Sequence, residues 1–336
     1  TGALQRHAQQ GRLMRLFARP SELRARGVLG MNQRTADYIM RYNPRRLYPL
    51  VDKKLKTKKI ALESGIAVPE LYGVVETEHQ VQEMESILTD HRALVVKPAH
   101  GSGGNGILVI NGRMGNFYRK ANGSLLPLAA IQHHTSNILS GMYSLGGVPD
   151  KAIIEYRVDF DPMFEHISYQ GVPDIRIIVF RGIPTAAMIR LPTRDSDGKA
   201  NLHQGAVGLG VNMASGTTTY AVHHNNIVTA HPDTGHHTTG IDIAHWDNIL
   251  RLATHCADRV GLGYLGVDIV IDRTLGPLML ELNARPGLNI QLASGHGLLK
   301  NLHKIESQQN LPTDIDDRLA FAKDMLQTVD SNKVVN

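Results

Sequence analysis

Alternation of apolar and polar residues is clearest in two places. Over residues 266–288, GVDIVIDRTLGPLMLELNARPGL, it predicts two strands joined by a tight turn at Arg273-Thr274-Leu275-Gly276. With the tip midway between Thr274 and Leu275, Asp268 lies directly opposite Glu281, about 5 Å away, where like charges repel. Asn283 follows two residues after Glu281 and shares its face, while Val267, Ile269, Ile271, Leu280 and Leu282 take the other. Over residues 174–191, Asp174 and Arg176 share one face, Arg181-Gly182 makes a turn, and the returning strand carries Met188 and Arg190 together. Shorter apolar runs at 93–97, 107–110 and 151–158 predict buried strands, the last ending in Glu155 and Tyr156.

Helical spacing over 246–260 places Ile249, Leu250, Ala253 and Ala257 on one stripe. A helix ends at Leu62 or Glu63 before Ser64-Gly65, and Thr77 with Gln80 forms a capping box for a helix through Leu88. A last helix begins at Thr313. Residues 111–150, punctuated by Asn122-Gly123, Gly146-Gly147 and Pro149, read as a loop-rich lid or insertion, and 289–300 as a glycine-rich tail.

Bulk composition narrows the classes. With 336 residues, 42% hydrophobic and 20% charged, the chain has the make-up of a soluble globular protein of two or three lobes. Its net charge of +5 comes from scattered basic residues with few aromatics, which suits anionic ligands in general and argues against a nucleic-acid surface. A single cysteine, Cys256, excludes an internal disulfide and a cysteine-rich metal site and is consistent with a cytoplasmic location. No apolar run approaches the roughly 18 residues of a membrane span. The arginine-rich stretch 6–26 reads as a surface helix, with Met14 a candidate natural start, and the charge run 52–59 reads as a solvated helix face. The 17 histidines include the pairs His133-His134, His223-His224 and His236-His237. Adjacent histidines on a strand point apart and no H-x-x-x-H occurs, so these read as solvated or hydrogen-bonded rather than metal-binding.

The chemistry gathers around the first hairpin. Two opposed carboxylates and an amide oxygen call for a cation, and all-oxygen donors suit Mg²⁺ rather than zinc. A salt-bridged surface hairpin with Arg285 as partner remains the alternative on the pattern alone. Residues 101–106 and 261–266 both match G-x-G-x-x-G. The first lies between two strands and the second leads into one, so neither is a dinucleotide fingerprint. The first is a glycine hairpin whose backbone N–H groups can lie over phosphates, with Lys97 at its root, or else a plain surface turn. No P-loop, H-R-D or D-F-G motif is present, which sets aside those kinase and NTPase classes.

The order of these pieces resembles the ATP-grasp superfamily, and within it the ribosomal protein S6 glutamate ligase-like branch, also called alpha-L-glutamate ligase-like. The matching pieces are DKKLKTKKIALESGIAVPE, VVKPAHGSGGNGI, IIEY, PDIRIIVF, AAMIR, KANLHQGA, GVDIVID and LMLELNARPGLNIQ, spread in family order over about residues 52–291. The resemblance implies an α/β (α+β) ATP-grasp fold with two lobes gripping ATP. A basic, mainly helical segment (1–50) would precede an ATP-grasp domain (51–300), with a flap lobe at about 93–155 and a metal lobe at about 156–300, and a C-terminal helix and tail (301–336) would follow. It implies ATP and Mg²⁺ or Mn²⁺, two ions, as cofactors. Lys97 and Lys53 would meet phosphates, Gly101, Ser102, Gly103, Gly104, Asn105 and Gly106 would form the flap, and Glu155 and Tyr156 would hold adenine. Asp174 would lie near the ribose, and Lys199, Ala200 and Asn201 would reach the phosphates and second metal. Asp268, Glu281 and Asn283 would ligate Mg²⁺, and Arg190, Asn201 and Arg285 would serve the acyl-transfer chemistry.

The implied reaction is an ADP-forming ligation of a carboxylate to an amine, such as glutamate to a peptide or protein. A non-catalytic ATP-binding module and a phosphotransferase are the rivals, and homo-oligomerisation stays open. The chain departs from this branch at Lys199-Ala200 and Gln204, where relatives carry arginine-serine and arginine. It also has about fifty residues ahead of Asp52 where such ligases carry a complete α/β domain.

Overall fold

A computed structural model describes residues 19–101, 103–144 and 146–326. The expected start at Met14, most of the basic stretch 6–26 and Ser102 therefore lie outside the described residues; a short helix, Pro20–Ala25, occupies the rest of that stretch.

Two antiparallel sheets organise the chain. Strands β1 (Leu71–Val75), β2 (Leu94–Pro98), β3 (Leu108–Met114), β4 (Phe117–Lys120), β5 (Leu125–Pro127) and β6 (Ala152–Tyr156) pair in the order β1-β6-β2-β3-β4-β5. Strands β7 (Asp174–Phe180), β8 (Ile183–Leu191), β9 (Val207–Val211), β10 (Thr218–His223), β11 (Asn226–Ile227), β12 (Tyr264–Asp272) and β13 (Gly276–Asn283) pair in the order β11-β10-β9-β8-β7-β12-β13. Each sheet has its own core. In the first, Leu94 and Val96 of β2 alternate inward with Ile110 and Ile154 against Val81, Leu88, Ile131 and Ile138, which leaves Val95 and Lys97 on the opposite face. In the second, the helix Trp246–Val260 lays its predicted stripe against Val267, Ile269 and Ile271 of β12. Each such fully buried side chain contributes about 1.5–3 kcal/mol.

The stretch 111–150 is not a loop. It contains β4, β5 and the helix Leu128–Leu139, whose buried positions Ile131, Thr135, Ile138 and Leu139 recur at helical spacing. Its punctuation marks tight turns between short elements; Gly123, with φ of 83°, turns the chain between β4 and β5. Residues 289–300 likewise hold the helix Ile290–Ser294 and the start of Leu299–Glu306. The Thr77 capping box forms, but its helix ends at Glu83 and a second runs from Glu85 to Asp90. The last helix begins at Ile315 rather than Thr313, because the Asp314 carboxylate accepts the Asp316 N–H at 2.8 Å and caps it.

Residues 19–51 form a strap on the larger sheet. Leu29, Tyr38, Ile39 and Val51 join its core, and the Tyr38 ring meets Phe180 edge-on at 5.5 Å. The Asn43 amide exchanges hydrogen bonds of 2.8 and 2.9 Å with the Tyr264 backbone and donates to the Ala284 carbonyl at 2.9 Å. One side chain thus ties the strap to β12 and to the residue just after β13. No helix among the described residues is long and apolar enough to cross a membrane.

Candidate active site

A cleft of about 1140 Å³ separates the sheets, with Val95, Lys97, Glu155 and Tyr156 on one side and Asp174, Arg176, Met188, Arg190, Asp268, Glu281 and Asn283 on the other. The β12–β13 hairpin sets the second wall. Its tip is half a residue earlier than the alternation predicts: Asp272 pairs with Gly276, and the Asp272 carboxylate caps the turn through the Thr274 and Leu275 N–H groups, each at 3.0 Å. Gly276, at φ of 73°, supplies the left-handed residue that a three-residue turn needs. The register then shifts between Asp268 and Ile269, so that Ile269 faces Met279 while Asp268 faces Glu281 and Gly266 faces Asn283. The extra residue is Leu280, a bulge. It lines the cleft and packs by Val158, Val270 and Leu278, instead of joining Val267, Ile269, Ile271 and Leu282 on the core face.

Strand register also assembles the charges. Asp174 pairs with Arg190 across β7–β8, and Arg176 with Asp268 across β7–β12. Arg176 grips Asp268 bidentately, Nε at 2.7 Å and Nη2 at 2.6 Å. Arg190 holds Asp174 through Nε at 2.5 Å and through Nη2, which also reaches Asp268 at 3.0 Å. Burial pushes the Asp268 carboxyl up, but the two guanidiniums outweigh it and hold Asp268 well below the usual carboxylate range. Asp174 is raised by its burial, against the pull of Arg190.

Glu281 differs from both. Among the described residues no hydrogen bond or ion pair reaches its carboxylate, and burial pushes it above the ordinary range, opposed most by Lys54. The Asn283 amide nitrogen donates to Asp268 at 3.3 Å, leaving its oxygen free. Two oxygen donors unengaged among the described residues, one from Glu281 and one from Asn283, beside the Asp268 carboxylate fit a hard divalent cation such as Mg²⁺.

The facing wall is cationic. Lys97 and Lys58 both pair with the buried Glu155, Lys58 at 2.5 Å, and together they overcome burial to hold Glu155 below its ordinary range. Lys54 donates to the Gly101 carbonyl at 2.7 Å, fixing the root of the glycine loop, and burial lowers both Lys54 and Lys58. A small side pocket joins Lys54, Lys58, Lys97, Glu155 and Glu281. The run 52–59 is therefore only partly a solvated face: Lys54 and Lys58 turn inward, while Lys53 is exposed and borders neither cavity.

Of the loop, Gly103 and Gly104 line the cleft; Gly101 bridges to Ser144, and Gly106 packs on Tyr143. Neither Gly101, Asn105 nor Gly106 borders the cleft. Lys199, Ala200 and Asn201 do, and a Cβ placed on Gly104 would lie 3.4 Å from the Lys199 side chain, so the loop already rests against them. The hydroxyl of Tyr156 donates to Asp272 at 2.9 Å. Arg285 is not brought in: it is exposed, pairs with Asp52 at 2.8 Å and lies over the Tyr48 ring. Sequence reasoning passed over Arg176 in the cleft and Lys54 and Lys58 in the side pocket; only Arg176 carried a signal, its period-two phase with Asp174.

Residues 33–307 match the sugar-transfer associated ATP-grasp family. The chain belongs to that family. The match carries the ATP-grasp superfamily, whereas the glutamate ligase-like branch is a finer assignment than it supports. Among solved structures, this ATP-grasp chain is similar to biotin carboxylase from Campylobacter jejuni in complex with βγ-ATP, at 14% identity over 80% of this chain and 48% of that one, with a TM-score of 0.50. It is also similar to the D-cycloserine synthetase DcsG (15% identity, 78% and 71% covered, TM-score 0.45). The ATP-grasp ligase PsnB with a minimal precursor gives 14% identity, 79% and 62% covered, and a TM-score of 0.42. The chain thus spans about three-fifths of PsnB and half of the carboxylase, and likenesses at this identity concern the fold alone. No curated protein sequence matches the chain.

Proposed function

We propose that the cleft binds ATP and Mg²⁺ and joins a carboxylate to an amine, forming ADP and phosphate. The observation that carries this reading is Glu281: a carboxylate with no hydrogen-bond or ion-pair partner among the described residues, beside Asp268 and Asn283 and across a cleft from Lys97 and the glycine loop. A protein that only bound nucleotide would have no use for an uncompensated carboxylate at that point.

The carboxylate oxygen of the acceptor attacks the γ-phosphorus, the bond to the β–γ bridging oxygen breaks, and ADP leaves. The amine then attacks the acyl carbon of the acyl phosphate, inorganic phosphate departs, and the amine loses a proton. In-line phosphoryl transfer needs positioning and charge neutralisation rather than covalent help. Lys97, with Lys54 and Lys58 behind it, supplies positive charge on one wall, and the backbone N–H groups of Gly103 and Gly104 cover the phosphates. On the other wall, Arg190 Nη1 makes no hydrogen bond among the described residues and is the donor left for the transferred phosphoryl group, while Arg176 positions Asp268. Glu281 and Asn283, with Asp268, would hold Mg²⁺, which when bound offsets phosphate charge. Closure of the glycine loop on Lys199 and Asn201 keeps water from the acyl phosphate.

Glutamate and peptide termini are the substrates drawn from the sequence resemblance, and amino sugars are added to them because the matched family is described as sugar-transfer associated. Incubating the protein with ATP, Mg²⁺ and a pool of all three tests the reading. Amide product with ADP and phosphate is expected. A phosphorylated pool member would mark a phosphotransferase, and tight ATP binding without turnover a binding module.

A further inference from the structure

On the far side of the loop that carries Lys199–Asn201, Asp195, His223 and His224 converge, their ligand atoms all within 4.8 Å of one another. We propose that these three residues bind a zinc ion that clips the cleft loop to the edge of the larger sheet.

Adjacent histidines on an extended strand point to opposite faces, and that geometry would keep this pair apart. Here β10 ends at His223, and His224 and Asn225 take left-handed backbone, φ of 46° and 65°, as the two central residues of a tight hairpin turn before β11. The turn swings the second ring beside the first, with centroids 4.1 Å apart. Both Nε2 atoms then face the same oxygen: Asp195 Oδ2 lies 3.1 Å from His224 and 3.6 Å from His223. A tetrahedral zinc ion bound at about 2.0–2.1 Å to nitrogen and oxygen separates its ligands by about 3.3 Å. The observed separations bracket that value.

An ordinary exposed histidine–aspartate pair would account for His224 but not for His223. The Nε2 atom of His223 is buried and has no hydrogen-bond partner among the described residues, since 3.6 Å is too long for one. A buried nitrogen left unpaired costs about 1–3 kcal/mol, and a metal bond relieves it. Two imidazoles and a carboxylate form a donor set zinc accepts, and it leaves a fourth position. Asp195 and His224 are 61% and 54% exposed, so that position is open to water.

The site bears on the cleft through covalent continuity. Asp195 lies between Arg194 and Asp197, and all of Arg194, Asp197, Gly198, Lys199, Ala200 and Asn201 line the cleft. The loop's far end passes directly beneath the site: a Cβ on Gly205 would fall 2.9 Å from that of Asp195 and 3.1 Å from His224 Cε1. Zinc would therefore pin both ends of the loop against which the glycine flap rests.

The test uses the full chain, free of tags and stripped by chelator, titrated with Co²⁺ and then Zn²⁺. One equivalent of Co²⁺ should give the intense visible absorption of a tetrahedral ion, displaced by Zn²⁺. His224→Asn, which keeps a residue tolerant of left-handed backbone, and His223→Gln should each weaken binding at least tenfold. Glu281→Gln should leave it intact, which separates this site from the Mg²⁺ site. Amide exchange over 193–206 should slow with Zn²⁺ in the unaltered protein and not in the His224 variant. Co²⁺ binding that is absent, or equal in the unaltered protein and both histidine variants, would overturn the proposal.

Discussion

Asp268 and Glu281 face each other across one strand pair, yet their surroundings oppose. Asp268 is held charged by Arg176 and Arg190, whereas Glu281 has no partner among the described residues. Its folded pKa is raised, so its share of stability is fully present below the unfolded value of about 4.3 and is lost as pH rises through the folded value. At neutral pH, without metal, the carboxylate opposes folding. Glu281→Gln should accordingly raise the melting temperature in metal-free buffer at pH 7 while lowering turnover at least about 100-fold, the scale of losing one preorganised charge at a reacting centre, with nucleotide binding largely kept. Thermal melts, steady-state kinetics and a nucleotide titration check this together, and full activity would remove the metal assignment. Asp268 runs the other way: its depressed pKa contributes stability above the unfolded carboxylate value, lost as pH falls below it. Asp268→Asn strands two guanidiniums and should cost about 3–5 kcal/mol at pH 7 in urea melts, with the difference from the unaltered protein narrowing below about pH 4. The facing of Asp268 and Glu281 was legible because both lie about equally far from the turn between their strands. Lys54 and Lys58 were not, because lysines at 53, 54, 56, 58 and 59 surround their helix and leave no polar phase to read.

At the scale of elements, the hairpin shows how a correct pairing can follow from an inexact turn. The alternation placed the tip half a residue late, and the bulge at Leu280 restored the pairing, so the error surfaced only in the face that Leu280 takes. The helix Leu128–Leu139 was hidden by the glycines around it, whose turns are real but bound elements rather than a lid. The glycine loop is constrained at one point above others. Gly106 has φ of 75° and a Cβ there would lie 2.5 Å from the Tyr143 ring. Gly106→Ala should therefore destabilise the loop by at least about 1–2 kcal/mol, raise KM for ATP, and speed amide exchange over residues 99–108. Unchanged KM and exchange would remove the loop from nucleotide binding.

Over the whole molecule, two sheets with separate cores meet along one cleft, with a cationic wall facing a wall of paired acids and arginines. The two-lobed architecture was legible from the order of the motifs, since each carries its own strand and turn signals. The tie from the first fifty residues was not, because Asn43 holds Tyr264 across 221 positions and local pattern contains no trace of such a contact. In the proposed reaction a carboxylate oxygen attacks the γ-phosphate. The most direct measurement supplies ATP, Mg²⁺ and a pool of amino acids and peptides carrying ¹⁸O in their carboxylates, and reads the inorganic phosphate by mass spectrometry. The account predicts ADP together with phosphate that has gained one ¹⁸O. Unlabelled phosphate, a phosphorylated pool member, or ATP bound without turnover would contradict it.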